Sequence, residues 1–198
     1  TGRRGPTGGR RSALAAARLG YACHVFAPEP DSPGMQVAAH RTVAAYEDRA
    51  ALARFAASVA VVTFEFENVP AAALEALAGL VPCRPGLAAL ATCQDRAAEK
   101  AFLDRIGVPV APWRLVESES DLAAAVAELG LPAVLKTTRL GYDGRGQAVL
   151  REASDLAPAF ARLAPKPLIL EAFVPFAAEI SAIAARGADG AVAVFDPV

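Results

Sequence analysis

The sequence predicts an α/β protein in two parts, a doubly wound domain over residues 1–90 and an α+β module over residues 91–198. Three observations predict it. Apolar segments of strand length alternate with helical segments in the first part, the order that builds a parallel sheet covered by helices. Gly107, Pro109 and Pro112 mark a linker. Beyond it, two strand-like segments are joined directly through a glycine-rich turn, which implies antiparallel pairing.

Taken in order, Ser12–Leu19 reads as a helix ended by Gly20, and Tyr21–Ala27 as a strand closed by the turn residues Pro28–Pro33. Arg41–Tyr46 is a short strand, Asp48–Ser58 a helix, and Val59–Phe66 a nearly continuous apolar run of the kind found in fully covered parallel strands. Pro70 sits where a first helical turn tolerates proline, so Ala71–Leu80 is helical. Thr92–Ile106 is an amphipathic helix ended by Gly107. The second part then reads strand Trp113–Val116, helix Asp121–Leu129, strand Ala133–Thr137, a glycine turn, strand Gln147–Arg151, helix Leu156–Leu163 and strand Leu168–Ala172. Glu179–Ala185 and Ala191–Phe195 read as a last hairpin, opening a domain whose core is unfinished at Val198.

With 54% apolar residues the 198-residue chain can bury a sizeable core. Its 20 basic and 21 acidic residues nearly cancel and are interspersed, which excludes a nucleic-acid surface or a polybasic membrane patch. Cys23, Cys83 and Cys93 are widely spaced and odd in number, against a disulfide framework or a zinc site, and they read as reduced thiols of a cytoplasmic protein. Charges or prolines interrupt every apolar stretch before it reaches membrane-spanning length, and no apolar run follows the N-terminal arginines as a secretory signal requires. His24 and His40 have no companions at metal-ligand spacing and read as structural. Trp113 fits core or hinge packing, and the cluster Arg3, Arg4, Arg10 and Arg11 fits a solvated tail better than the phosphate binding it could also suggest.

The chemistry concentrates in Gly141-Tyr142-Asp143-Gly144-Arg145-Gly146-Gln147. Lying between two strands, it is neither a P-loop nor a dinucleotide fingerprint, both of which open a helix. Glycines there let backbone N–H groups approach a polyphosphate, and a strand-loop-strand flap can close over a nucleotide. Lys136 at the end of the preceding apolar run would supply a point charge. The same residues also suffice for a plain hairpin turn and a capped strand edge. Downstream, Leu168–Leu170 leads into Glu171-Ala172-Phe173-Val174, suited to a strap whose backbone meets an adenine edge, with Glu179 on the following strand placed to accept from ribose hydroxyls. Glu179 equally reads as an exposed strand carboxylate. Glu65 and Glu67 share one face at the carboxyl end of their strand, where ligands of doubly wound sheets bind, and Asn68 beside them makes a substrate contact plausible. Asn68 as a helix cap before Pro70, with the glutamates at the helix's positive end, explains the same residues without a ligand.

The run Val134–Gln147, the segment Glu171–Phe176 with Glu179-Ile180-Ser181, the element Thr63-Phe64-Glu65-Phe66-Glu67-Asn68-Val69-Pro70, and Gln94-Asp95-Arg96 to Lys100 resemble the ATP-grasp ligases, in particular the carboxyaminoimidazole ribonucleotide synthases of purine biosynthesis. The resemblance runs from about Ala13 to the C-terminus. It implies a pre-ATP-grasp domain over residues 1–90 and an ATP-grasp region over 91–198, divided into a small lid over 112–170 and the start of a large subdomain over 171–198. It implies that Arg96, Lys136, Gly141, Tyr142, Asp143, Gly144, Arg145, Gly146, Gln147, Glu171, Ala172, Phe173, Val174 and Glu179 contact ATP. Tyr142 and Asp143 would also act on the aminoimidazole ribonucleotide, with Glu65, Glu67 and Asn68 on the substrate side. The reaction implied is ATP-dependent activation of bicarbonate to carboxyphosphate and carboxylation of the ribonucleotide's exocyclic amine, in a homodimer, with Mg2+ ligands expected beyond Val198. Catalysis of that kind is mostly positioning and charge neutralisation.

Residues 1–11 depart from the pattern, because Thr-Gly-Arg-Arg-Gly-Pro-Thr-Gly-Gly has no apolar first strand and keeps only Gly8 and Gly9 of a phosphate-holding loop. The chain is therefore expected to be a fragment of such an enzyme. A formate-dependent glycinamide ribonucleotide transformylase, a biotin carboxylase and a non-catalytic nucleotide-binding remnant remain as alternatives.

Overall fold

The computed structural model describes residues 8–141 and 146–198. Helix α1 (Gly8–Arg18) leads to strands β1 (His24–Ala27) and β2 (His40–Val43), which pair in parallel with His24 opposite His40 and Ala27 opposite Val43. Both strands are shorter than the Tyr21–Ala27 and Arg41–Tyr46 runs the sequence suggested. Helix α2 (Arg49–Ala57) starts where the Asp48 carboxylate accepts from the Ala51 amide at 2.8 Å. Helix α3 (Ala71–Leu77) has Pro70 itself at the N-cap with no side-chain cap. Asn68 is thus not the cap, and its amide donates to Glu67 Oε1 at 3.3 Å. Leu52, Phe55, Val62, Leu77 and Val81 form the core here, with Phe26 and Tyr46 packed against it.

Two readings need correction. The Val59–Phe66 run does not form a strand: its ladder contact among the described residues is one parallel bridge, with Val62 donating to Pro82 O and Arg84 to Val62 O. Val61 is 52% exposed, so the run is not covered on both faces, and a single bridge does not make a ladder. The single helix predicted over Thr92–Ile106 is two, α4 (Leu87–Cys93) and α5 (Arg96–Arg105). Asp95 interrupts them in extended conformation, and its carboxylate accepts from the amides of Ala97 and Ala98, which restarts the helix. Trp113 Nε1 donates to Asp104 at 3.0 Å and fastens the end of α5 to the strand that follows.

The second part contains β3 (Trp113–Val116), α6 (Glu119–Leu129), β4 (Ala133–Thr137), β5 (Gln147–Leu150), a one-turn 3-10 helix (Ala153–Asp155), α7 (Leu156–Leu163) and β6 (Leu168–Ala172). The four strands form one antiparallel sheet in the order β3-β6-β4-β5. Ser118 caps α6 by accepting from the Asp121 amide, and Gly130 at φ +77° ends it. Ala133 and Leu135 of β4, Leu150 of β5 and Leu168 and Leu170 of β6 pack with Leu122, Ala125, Ala159 and Leu163 of the helices. Strand period two then sends Lys136 and Glu171 to the opposite face.

The final hairpin is β7 (Ala184–Arg186) with β8 (Val192–Val194). It is shorter than predicted, and Glu179 lies outside any strand. Every residue of both strands is exposed, as are Phe176, Ile180, Ile183 and Phe195, and backbone bonds from Phe195 N to Ile183 O and between Ser181 and Val198 continue the pairing beyond the strands. Among the described residues no helix is long and apolar enough to cross a membrane.

Leu170 has no solvent exposure at the centre of the sheet. Leu170→Ala is expected to lower unfolding stability by about 2–5 kcal/mol in urea titration. His24 lies between the hydroxyls of Ser58 (2.9 Å) and Thr42 (2.8 Å). Burial, and then the neighbouring His40, lower its pKa. The unfolded chain therefore takes up this proton first, so the His24 contribution is intact above about pH 6.5 and is lost as pH falls from there through the folded-state pKa. His24→Asn should flatten the melting-temperature profile between about pH 7 and 5.

Candidate functional site

The face of the sheet opposite the helices carries a buried carboxylate between two ammonium groups. Glu171, 8% exposed, accepts from Lys136 Nζ at 3.0 Å and faces Lys100 Nζ at 3.5 Å, both through Oε2. Lys136 comes from β4, Glu171 from β6 and Lys100 from α5, so three elements meet at one oxygen. A carboxylate removed from water needs such partners, and two lysines on one glutamate leave an excess positive charge on this face. Lys100 was not among the site residues predicted from sequence. Its signal is present nonetheless, since it stands four residues after Arg96 and shares that face of α5.

Arg96 opens α5 and grips the turn after β4. Its guanidinium donates to Thr137 O at 3.2 Å and Gly141 O at 2.8 Å, while its backbone N–H donates to Thr138 O at 2.9 Å. These bonds flank Leu140, a non-glycine residue at φ +59°, a conformation that costs about 1–2 kcal/mol and needs such restraint. Arg139 Nε pairs with Asp95 Oδ2 at 3.1 Å. Burial alone would raise the Asp95 pKa, but the hydrogen bonds from Arg139 and from the Ala98 and Ala97 amides outweigh it and hold the carboxyl below its ordinary value. Gly146 closes the turn at φ +73°, where a Cβ would stand 2.8 Å from Thr137 Oγ1. Glycine is required there on both counts. Gln147 opens β5 opposite Lys136, and its carbonyl accepts from Arg162 at 3.1 Å. Tyr142, Asp143, Gly144 and Arg145 lie outside the described residues.

A cavity of about 120 Å³ lies between this turn and the first part of the chain. Glu67 and Asn68 form one wall, Thr138, Leu140 and Gly141 the other, and Cys93, Gln94, Arg96 and Glu99 close it. Burial, followed by the charges of Glu99 and Glu67, raises the Cys93 thiol pKa and keeps it protonated. Glu65 is exposed and does not line the cavity. The strap backbone is anchored by Ala172 N to Pro112 O and Phe173 N to Pro132 O, leaving Phe173 and Val174 40% and 48% exposed. Glu179 is exposed on an irregular segment, away from the strand position predicted for it. Among the described residues no group of three or more His, Cys, Asp or Glu side chains converges on a metal position.

Residues 5–94 match the model of a ribonucleotide synthetase preATP-grasp domain, and residues 101–198 that of an ATP-grasp domain. The N5-carboxyaminoimidazole ribonucleotide synthase of Brucella melitensis is 48% identical over 190 residues, which is 95% of this chain and 52% of that protein. The chain belongs to the ATP-grasp family, in the branch of the N5-carboxyaminoimidazole ribonucleotide synthases. A solved ADP complex of an N5-carboxyaminoimidazole ribonucleotide synthetase superposes with a TM-score of 0.91 at 41% identity, covering 96% of this chain and 51% of that one. The Aspergillus clavatus synthase in complex with ADP and 5-aminoimidazole ribonucleotide superposes with a TM-score of 0.84 at 28% identity, over 96% and 50% of the two chains. The chain spans about half the length of the curated relatives it matches.

The Lys136–Glu171 pair is open to a direct measurement. A double-mutant cycle with Lys136→Met and Glu171→Gln, followed by urea denaturation, is expected to give a coupling energy of about 0.5–3 kcal/mol. Glu171→Gln alone should destabilise by leaving two ammonium groups without their counter-ion.

Proposed function

We propose that this chain carries the nucleotide lid and part of the substrate wall of an enzyme that carboxylates 5-aminoimidazole ribonucleotide at the expense of ATP. The observation that carries this reading is the joining of two sites through one helix. Arg96 both lines the cavity beside Glu67 and Asn68 and holds the glycine-rich turn, and Lys100 one turn later belongs to the Lys136–Glu171 cluster. The relatives' solved complexes with ADP and with 5-aminoimidazole ribonucleotide support the same pairing of ligands.

In this reading the ATP phosphates approach Lys100 and Lys136, whose excess positive charge over Glu171 attracts a polyanion at modest desolvation cost. The amides around Gly141 and Gly146 follow the phosphates, and the exposed Phe173–Val174 strap receives the adenine. Glu179 takes the ribose, while Arg96 acts through its hold on the turn. Glu67 and Asn68 present oxygen acceptors to the amine of the ribonucleotide. Tyr142 and Asp143 face that substrate on the strength of the sequence resemblance, and Glu65 has no place in the cavity. A bicarbonate oxygen attacks the γ-phosphorus, releasing ADP and forming carboxyphosphate. The amine nitrogen then attacks the carboxyl carbon, the C–O bond to phosphate breaks, and the amine gives up a proton. A homodimer and the bicarbonate specificity belong to the same proposal.

In the polypeptide that carries this segment, ADP release is expected to require both bicarbonate and 5-aminoimidazole ribonucleotide. Release that instead requires formate and glycinamide ribonucleotide would overturn the reading. For the 198-residue chain, calorimetric titration should show saturable nucleotide binding, weakened roughly ten- to hundredfold by Lys136→Ala through loss of a charged hydrogen bond.

A further inference from the structure

Beside the wall formed by Glu67 and Asn68, the cavity is lined by a glutamine whose amide has a fixed orientation. Gln94 Nε2 donates to Val69 O at 2.5 Å, across 25 residues of sequence. Val69 O is a carbonyl and can only accept, so the amide nitrogen has to face it and the amide oxygen is turned away. That oxygen, Oε1, accepts no hydrogen bond from the described residues, and among them no buried side-chain oxygen or nitrogen lacks a partner. Oε1 therefore reaches open space, and the open space beside Gln94 is the cavity.

The backbone on either side is fixed as well. Gln94 N donates to Leu90 O and closes α4, and the Asp95 carboxylate accepts from the amides of Ala97 and Ala98 to open α5. A side chain only 8% exposed and held at both ends has little rotamer freedom left to lose when a ligand binds. The groups around it share its polarity. Asn68 Nδ2 donates to Glu67 Oε1, which leaves Asn68 Oδ1 and Glu67 Oε2 as acceptors. Glu99 adds a second carboxylate, and Arg96, the cation of the lining, is bound to backbone carbonyls. This corner of the cavity is therefore built for a ligand that brings hydrogen-bond donors.

We propose that Gln94 is a substrate-binding and specificity residue whose Oε1 accepts a hydrogen from the exocyclic amine of the ribonucleotide, beside Glu67 and Asn68. A neutral amide oxygen orients an amine without taking its proton, so the nitrogen lone pair stays available for its attack on the carboxyl carbon. A ribonucleotide without the amine leaves Oε1 facing a group that cannot donate, and a polar group left unpaired in this way discriminates strongly between two ligands of similar shape. The inference rests on the assignment of the cavity to the ribonucleotide.

The test is calorimetric titration of the 198-residue chain with 5-aminoimidazole ribonucleotide and with the same ribonucleotide lacking its amine. The ratio of the two affinities is the readout, and a general loosening of the wall cancels in it. The unsubstituted chain should prefer the amine about ten- to hundredfold, and Gln94→Met, which keeps the volume and removes both hydrogen-bonding atoms, should cut that preference about three- to tenfold. Gln94→Asn keeps the amide but shortens the side chain by one methylene, and it should lower the ratio too, so the test does not depend on the folding of one variant. A glutamine that only holds Val69 would weaken both ribonucleotides alike, and a ratio unchanged in the variants therefore overturns the assignment while leaving the functional proposal standing. A ratio near one in the unsubstituted chain does the same. Binding of neither ribonucleotide overturns the placement of the substrate in the cavity, and the role of Gln94 with it.

Discussion

The arrangement of the site depends on the Glu171 carboxylate. It lies on the face of the antiparallel sheet away from the helices, where an unpaired charge would be costly, and it is held there by Lys136 and Lys100. Because Lys100 belongs to α5, this contact also fixes the helix against the sheet. Arg96 at the start of the same helix can then reach the carbonyls of the turn after β4. One oxygen atom thus sets where the glycine turn stands relative to the strap that begins at Glu171.

Under the proposed function, the same cluster would let a structural ion pair also serve a ligand. Two lysines share one carboxylate, and the more exposed of them, Lys136 at 25% of its side-chain surface, retains access to solvent. A polyanion can therefore exchange one partner for another without leaving the glutamate bare, since Lys100 remains beside it. The turn is prepared in a comparable way: Leu140 stays left-handed because bonds on both sides restrain it, and Gly146 fits because it has no Cβ to meet Thr137.

The outer end of the chain behaves differently. From Phe173 onward large apolar side chains are exposed, and the β7–β8 hairpin has no layer beneath it. Past Glu171 the strap is held by backbone bonds from Ala172 N to Pro112 O and from Phe173 N to Pro132 O. Backbone pairing continues past the two three-residue strands, with Phe195 N donating to Ile183 O and Ser181 and Val198 exchanging N–H···O bonds.

The local pattern of the sequence by itself determined the elements whose signals are short-range. The β4–turn–β5 hairpin followed from an apolar run, glycines and a second apolar run, and α6 was read as a helix over Asp121–Leu129, two residues short of its start at Glu119. Lys136 and the Glu171 strap were legible because they sit at the ends of buried strands. Tertiary structure alone decided what depended on partners distant in the chain. Val59–Phe66 has strand composition but among the described residues pairs only through the single Val62–Cys83 bridge, and Thr92–Ile106 has helical periodicity that Asp95 breaks by capping a second helix. The convergence of Lys100, Lys136 and Glu171, and of Gln94 with Val69, spans 25 to 71 residues of sequence. Sequence fixes the chemistry of each of these side chains, but only the tertiary placement of α5 beside the sheet, held by the Lys100–Glu171 pair and the Arg96 bonds, sets the distance between their charges.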